Sequence, residues 1–324
     1  MELDPLPRVF LITGATGKQG GAVIDALLKL PEPFVGIILA VTRDPSSRAA
    51  QRLAALSDKI KVVEGNLDNV PELFRTAERA TGGKPIYGVY SVQISRGPGV
   101  TPEQEVKQGK NLVDEAIARG VKHFVYSSVE RGGDEASWFN PTPVEHFQPK
   151  HEIERHLRIQ AAVNHSQRSE KMMWTILRPV AFMENLEADF KTKVFLTALH
   201  NHLGRDKKMQ WVSIKDIGVF AAKAFYEPKS WKGRAVGIAG DEMTMEELFD
   251  VFSKATGAGW PTTYWPLGSV LTYMVKELGV MIRWFASDGY NANVAVRSIE
   301  HPGLMTIDQW LRGGGGGFVK PIQA

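Results

Sequence analysis

The sequence predicts an α/β fold: a doubly wound parallel sheet with a smaller, mostly helical C-terminal lobe. Three observations predict it. Short apolar runs alternate with helical patterns over the first two thirds of the chain, as βαβ units require. Strands such as Phe10-Leu11-Ile12 are apolar on both faces, which suits a sheet covered on both sides. A glycine-rich stretch runs directly from the first strand into the first helix.

The elements follow in order. Residues 8–13 (RVFLIT) read as the first strand, and 21–30 as a helix ended by Pro31. Residues 36–42 (GIILAVT) form a second strand, 46–56 a helix, 61–64 a short strand and 71–80 a helix. Residues 86–93 make a fourth strand, and 103–119 a long helix closed by Gly120, a favoured left-handed cap. Residues 123–129 are a fifth strand, 150–166 a helix and 174–177 a strand. After about Asn185 the alternation weakens, apart from a late strand at 235–239. This divides the chain into a nucleotide-binding domain at 1–185, to which the late strand returns, and a substrate or partner lobe at 186–324. The five glycines at 313–317 predict a flexible element, because glycine carries a high entropy cost on ordering.

Composition narrows the function. The 324 residues carry 39 Lys+Arg against 36 Asp+Glu, a net charge of +3, which excludes a strongly basic nucleic-acid binder. With no Cys there are no disulfides, thiolate metal sites or cysteine nucleophiles. Met1-Glu2-Leu3-Asp4-Pro5 lacks a basic region followed by a long apolar run, so a cytoplasmic address is expected. The apolar stretch 267–286 is interrupted by Lys276, Glu277 and Arg283, which predicts an amphipathic helix on a core and no membrane span.

The chemistry starts at Gly14-Ala15-Thr16-Gly17-Lys18-Gln19-Gly20. Gly14 allows the tight turn, Gly17 lets backbone approach a pyrophosphate, and Gly20 lets helix pack on strand. Phosphates then sit at the helix N-terminus, where unpaired N–H groups and the dipole favour anions. The second strand ends Val41-Thr42-Arg43, with no acidic residue at the usual ribose-selecting place. A guanidinium there pairs with a 2′-phosphate, so Arg43, with Ser47 and Arg48 as helpers, argues for NADP(H). Gly65-Asn66-Leu67-Asp68, after the third strand, lies near the adenine in such a sheet.

These residues resemble the short-chain dehydrogenase/reductase superfamily in its atypical NmrA-like branch. The matches include residues 13–21, Val41-Thr42-Arg43-Asp44-Pro45, Glu103-Gln104-Glu105-Val106-Lys107-Gln108-Gly109-Lys110 and Val125-Tyr126-Ser127-Ser128. They continue through Arg178-Pro179, Phe182-Met183-Glu184-Asn185, Asp216-Ile217-Gly218 and Asp308-Gln309-Trp310-Leu311. The resemblance implies a Rossmann domain binding NADP(H). It places phosphates on Gly14, Thr16, Gly17, Lys18, Gln19 and Gly20, the 2′-phosphate on Arg43, and adenine near Asn66 and Leu67. Gln93 would face the ribose and nicotinamide, Lys107 and Lys150 would reach the cofactor, and Phe182, Met183, Glu184 and Asn185 would close over the nicotinamide end. The family holds both reductases, many in fungal secondary metabolism, and redox sensors acting through protein partners.

A typical short-chain reductase uses Tyr-x-x-x-Lys with a Ser: the tyrosine donates a proton and the lysine lowers its pKa. Here the segment is His146-Phe147-Gln148-Pro149-Lys150, with histidine in the tyrosine's place. Imidazolium also donates a proton near neutral pH, so the candidate catalytic residues are Lys150, His146 and Ser128. Ser127 and Ser128 end the fifth strand and are candidates either for holding a substrate oxygen or for capping the strand end. His151 and His156 are five apart and face different ways on a helix, and His200 with His202 lacks a third ligand, so no metal site is expected. Asn164-His165-Ser166 matches a glycosylation sequon that carries little without a secretory signal. The aromatic and Met-rich stretch 260–285 reads as lobe core, or as the lining of an apolar pocket. The expected function is NADP(H)-dependent reduction of a carbonyl or conjugated double bond in a small apolar metabolite. The alternative is an NADP(H) sensor working through a regulatory protein partner without turnover. Neither reading involves nucleic acid or a membrane.

Overall fold

The computed structural model describes residues 7–95, 97, 99–163 and 172–319. The N-terminal pentapeptide and the Asn164-His165-Ser166 sequon lie outside the described residues. A seven-stranded sheet has the order β3-β2-β1-β4-β5-β6-β9. Its strands are β1 (Arg8–Ile12), β2 (Val35–Thr42), β3 (Ile60–Glu64), β4 (Gly88–Ser91), β5 (His123–Ser127), β6 (Met173–Pro179) and β9 (Arg234–Ile238). β1 to β6 pair in parallel. The order reverses between β1 and β4, the switch point at which doubly wound sheets bind ligands. The fold class is the one expected: a Rossmann-like α/β sheet.

The crossover helices are α1 (Lys18–Leu27), α2 (Arg48–Ala54), α3 (Val70–Thr81), α4 (Pro102–Ala118) and α5 (Gln148–Val163). Each boundary has a local cause. Asn69 caps α3 by accepting the Glu72 N–H at 3.4 Å, and Gly82 ends it at φ +65°. Thr101 caps α4 by accepting the Gln104 N–H at 3.2 Å, with Pro102 in the first turn. α1 begins at Lys18, three residues before the expected Gly21, because Gly17 serves as its N-cap. The strand expected at 86–93 shortens to Gly88–Ser91, since the Val92 N–H goes to Thr13 Oγ1 at 2.8 Å instead of a strand partner.

The chain divides into two compact units. The first comprises the described residues of Met1–Ser128, Pro149–Leu177 and Ile217–Ala235. Within it α7 (Ile214–Tyr226) meets α1 closely at Gly218, where a Cβ would stand 2.3 Å from the Ala22 carbonyl oxygen. Phe10, Phe74, Phe124, Tyr90 and Tyr126 are fully buried there.

The second unit comprises the described residues of Val129–Gln148, Arg178–Asp216 and Val236–Ala324. It holds a small sheet of β7 (Ala181–Phe182), β8 (Met209–Val212) and β10 (Asp241–Met243). Around it lie α6 (Phe190–Leu203), α9 (Met245–Thr256), α10 (Trp265–Met274), α11 (Lys276–Ser287), α12 (Val294–Glu300) and α13 (Ile307–Arg312). Trp211, Phe249, Phe252, Trp284, Phe285 and Trp310 form its core.

Two expectations need correction in this unit. The stretch 267–286 is two helices, with Val275 in a non-helical conformation between them. Ile282, Trp284 and Phe285 of α11 are core, whereas Val270, Tyr273 and Met274 of α10 are exposed. The glycine run 313–317 is built into the unit and is no free tail. A Cβ at Gly315 would lie 2.3 Å from the Trp310 ring, and Gly316 at φ +64° accepts the Ala188 N–H at 2.9 Å. Gly315 is required for space against the indole, and Gly316 for its left-handed backbone.

His123 on β5 is fully buried in the first unit. Thr175 Oγ1 donates to the Trp231 carbonyl at 2.9 Å, so it accepts from His123 Nε2–H at 2.8 Å, which fixes a neutral tautomer. Burial, aided by the charge of Arg8, pushes the imidazole pKa down to about 3. The unfolded chain takes up this proton near pH 6.5, and the folded one refuses it. Stability is therefore complete above that pH and falls as pH drops from about 6.5 toward 3, with a slope reaching about 1.4 kcal/mol per pH unit for this group. Urea midpoints measured between pH 7 and 4.5 should show this loss in the native protein and a shallower one in His123→Gln.

Candidate functional site

The site grows from the turn after β1. Thr13 is buried, and its Oγ1 lies 3.0 Å from the Val92 carbonyl oxygen, tying the turn to β4. Gly14 then takes φ +58°, and its carbonyl accepts the Gly17 N–H at 2.9 Å. A Cβ at Gly20 would stand 2.3 Å from the Gly14 oxygen and 2.5 Å from its carbon, closer than any side chain permits. α1 therefore starts against the turn. Its cap, Gly17, offers no side-chain acceptor. The first N–H groups of α1 have no intrahelical partner and no side-chain cap, and Thr16 and Lys18 beside them are exposed, an arrangement that suits an anion. Gln19 turns inward: its Oε1 accepts from Ser127 Oγ at 2.7 Å and from Tyr90 Oη at 3.3 Å.

A cleft of about 450 Å³ opens along the carboxyl ends of β1 to β4. Gly14, Thr16, Arg43, Ser47, Asn66 and Leu67 line it. Arg43 is exposed, and no hydrogen-bond or ion-pair partner for it occurs among the described residues. Its neighbour Asp44 is occupied elsewhere, accepting from the Ser46 hydroxyl at 2.6 Å and its N–H at 2.9 Å. Those bonds hold the Asp44 carboxyl below the usual range. Ser47 caps α2 by accepting the Ala50 N–H at 3.3 Å. Asn66 Oδ1 accepts the Asp68 N–H at 3.0 Å, which closes the loop after β3.

Sequence reasoning missed the outer wall. Asp68 Oδ1 accepts from Gln108 Nε2 at 2.8 Å and Gln104 Nε2 at 3.1 Å, and these bonds hold its carboxyl below the ordinary range. The spacing of Gln104 and Gln108, one helical turn apart at the start of α4, was the available signal. Lys107 is exposed on α4, and its charge also lowers Asp68. Gln93 is buried, and its Nε2 donates to Ser91 Oγ at 2.9 Å. Its Oε1 has no partner among the described residues, an unmet acceptor just past the end of β4.

Lys150 lies in the first turn of α5, buried, with Nζ donating to Glu105 Oε1 at 2.8 Å. Ser127 and Ser128 are both engaged, Ser127 on Gln19 and Ser128 on buried Glu154. The remaining candidates belong to the second unit. His146 sits on a short 3₁₀ turn, with Nδ1 donating to Glu277 Oε1 at 2.6 Å and its ring edge-on to Phe147. Phe182 is half-buried and Asn185 exposed, while Met183 is fully buried in the core of that unit. Glu184 accepts from Ser213 Oγ at 2.8 Å and from the Ile214 N–H at 3.0 Å, holding the start of α7. Among the described residues no cluster of three or more His, Asp or Glu is placed to hold a metal ion, and no helix is long and apolar enough to cross a membrane.

The turn gives a direct test of its steric reading. Gly20→Ala should cost about 1–3 kcal/mol or more, because the new methyl meets backbone that cannot yield. Gly259→Ala, where a Cβ meets nothing within 4 Å, should leave the urea midpoint unchanged.

Comparison with known proteins agrees with this geometry. The model of the NmrA-like family matches residues 8–311. An NmrA-like family domain-containing oxidoreductase, hkm9 of Aspergillus hancockii, is 30% identical over 262 residues, 77% of this chain and 73% of its own length. A similarly described oxidoreductase of Aspergillus flavus, lnaB, is 26% identical over 79% of this chain and 75% of its own. Among solved structures, the NADPH-dependent quinone oxidoreductase QOR2 of Escherichia coli, complexed with NADPH, has a TM-score of 0.68 at 20% identity, covering 94% of this chain and 98% of its own. The negative transcriptional regulator NmrA in complex with NADP has a TM-score of 0.65 at 16% identity, covering 95% and 96%. The two structures share the fold, and the family match spans nearly the whole sequence: the chain belongs to the NmrA-like family.

Proposed function

We propose that the protein is an NADP(H)-dependent oxidoreductase that reduces a carbonyl or conjugated double bond of a small apolar metabolite. The observation that carries the reading is the cleft: a glycine turn with uncapped helix N–H groups at one place and, at another, Arg43, whose guanidinium has no partner among the described residues. The residues fit a dinucleotide phosphate. A pyrophosphate would rest on the turn from Gly14 to Gly20, a 2′-phosphate on Arg43 with Ser47, and adenine beside Asn66 and Leu67. The unmet Gln93 Oε1 supplies an acceptor for a hydroxyl or amide donor further along the sheet edge. Reduced nicotinamide would supply the hydride. Lys150, held by Glu105, would present its ammonium to that half of the cofactor. The oxidoreductase descriptions of the fungal relatives support the same class. We assign substrate contact to the second unit, and the absence of cysteine fits a cytoplasmic setting.

One observation favours a second reading, a dinucleotide-binding regulator that works through a protein partner. His146, in the place of the usual tyrosine, is bound to Glu277, and both strand-end serines are engaged. NmrA, described as a negative transcriptional regulator, shares the fold.

Two measurements test the proposal. Arg43→Ala should weaken NADPH binding about ten- to a hundredfold and leave NADH binding nearly unchanged, since a charge-assisted pair contributes about 1.5–3 kcal/mol. Equal losses for both cofactors would contradict the 2′-phosphate assignment. NADPH consumption should be followed with aldehydes, quinones and enals, with mass spectrometry for a product heavier by two hydrogens. Product formed by the native protein and lost in Lys150→Ala supports the reductase. Saturable NADPH binding with no product from any class supports the regulator.

A further inference from the structure

The Lys150 ammonium is not an isolated charge. Its partner Glu105 is on α4, with a side chain 1% exposed against 11% for Lys150. Ser95 Oγ donates to the same Glu105 oxygen at 3.3 Å, so the carboxylate is anchored from a second direction. The helices carrying the pair are held close by a steric device. One turn after Glu105 stands Gly109, where a Cβ would lie 2.4 Å from Ile153 Cδ1 of α5. A larger residue there would have to displace the Ile153 side chain or α4 itself. Two more contacts continue along the same helices: an ion pair of Lys110 with Glu152 at 3.1 Å, and a hydrogen bond of His156 with Asp114 at 2.7 Å. Glu154, one turn beyond Lys150, takes the Ser128 hydroxyl.

Glu105 also lines the cleft that contains Gly14, Thr16 and Arg43. The reading proposed above puts the adenosine half at the ends of β2 and β3 and the phosphates on the turn after β1. The other half of a dinucleotide then crosses the switch point to the ends of β4 and β5, toward Gln93 and the Glu105–Lys150 pair. The nicotinamide ring is cationic when oxidised and neutral when reduced. A lone buried ammonium beside it would select the reduced form.

Resting on that dinucleotide reading, we propose that Glu105 is a positioning residue that fixes Lys150 and cancels its charge, so that the cleft holds the oxidised and reduced cofactors alike. Gly109, one turn after Glu105, then lets α4 and α5 approach where the carboxylate reaches the ammonium.

The test is calorimetric titration of NADPH and NADP⁺ into the native protein, Glu105→Gln, Lys150→Met and the double variant, with thermal melts of each. The native protein should bind the two forms within about threefold of each other. Glu105→Gln exposes the ammonium and should weaken NADP⁺ relative to NADPH by about tenfold or more, as one unscreened charge near the ring predicts. Lys150→Met leaves the carboxylate and should shift the ratio the opposite way. The double variant has no unpaired buried charge, so it should fold and return to the native ratio. A purely structural role would move the melts and leave this ratio fixed. Should Glu105→Gln fail to fold, Lys150→Met and the double variant read the same ratio. An unchanged ratio in the folded variants overturns the inference. If the native protein binds neither form, the dinucleotide reading itself fails, and the inference with it.

Discussion

The candidate site depends on one steric constraint: there is no room for a side chain between the turn after β1 and the first helix. A Cβ at Gly20 would stand 2.3 Å from the Gly14 carbonyl oxygen. Glycine at both positions lets α1 begin directly over the sheet edge, with Gly14 in the left-handed region. That placement leaves the first N–H groups of α1 without side-chain caps beside Gly14 and Thr16, which line the cleft. Thr13 and Gln19 then hold the turn from two sides, Thr13 on the Val92 backbone and Gln19 on Ser127 and Tyr90. The Tyr90 hydroxyl is fully buried, which pushes its pKa up and keeps it a donor to Gln19.

Two sets of polar residues named for the site behave differently. Ser127, Ser128, Glu105 and Lys150 satisfy one another or their neighbours within the fold, as buried polar groups must. Arg43 and the Gln93 carboxamide oxygen do not. A guanidinium and an acceptor without partners among the described residues, along one sheet edge, are atoms a ligand would complete. The second unit follows a different rule. Glu130 there is fully buried, and burial raises its pKa even though the Gly132, Asn291 and Gly133 N–H groups donate to it. Arg131 donates to the Val129, Ser137 and Asn140 carbonyls. These groups fix the loop after β5 by internal bonds.

Most of the first unit was legible in the sequence, because its signals are local. Strand periodicity, Pro31 after the first helix and Gly120 after α4 each act within a few residues. The glycine turn was readable for the same reason. What escaped was set by tertiary contact. Asp68 stands at the end of a recognised loop, but its orientation comes from Gln104 and Gln108, about forty positions away. Lys150 was marked as a cofactor residue, yet its partner Glu105 lies 45 positions away on another helix, a pairing no local pattern announces. The glycine run 313–317 read as a tail because glycine alone carries no packing pattern; the Trp310 ring and the Ala188 N–H order it. The break at Val275 was equally hidden, since an apolar run reads the same whether one helix or two passes through it.

The central claim is that the turn from Gly14 to Gly20 and the arginine after β2 form a single dinucleotide site. Amide hydrogen exchange of the native protein, with and without saturating NADPH, tests it most directly. The account predicts slowed exchange at the amides of residues 16–20 and at residues 43–48, with no comparable change in α9 or α13. Unaltered exchange in both segments at millimolar NADPH would contradict it.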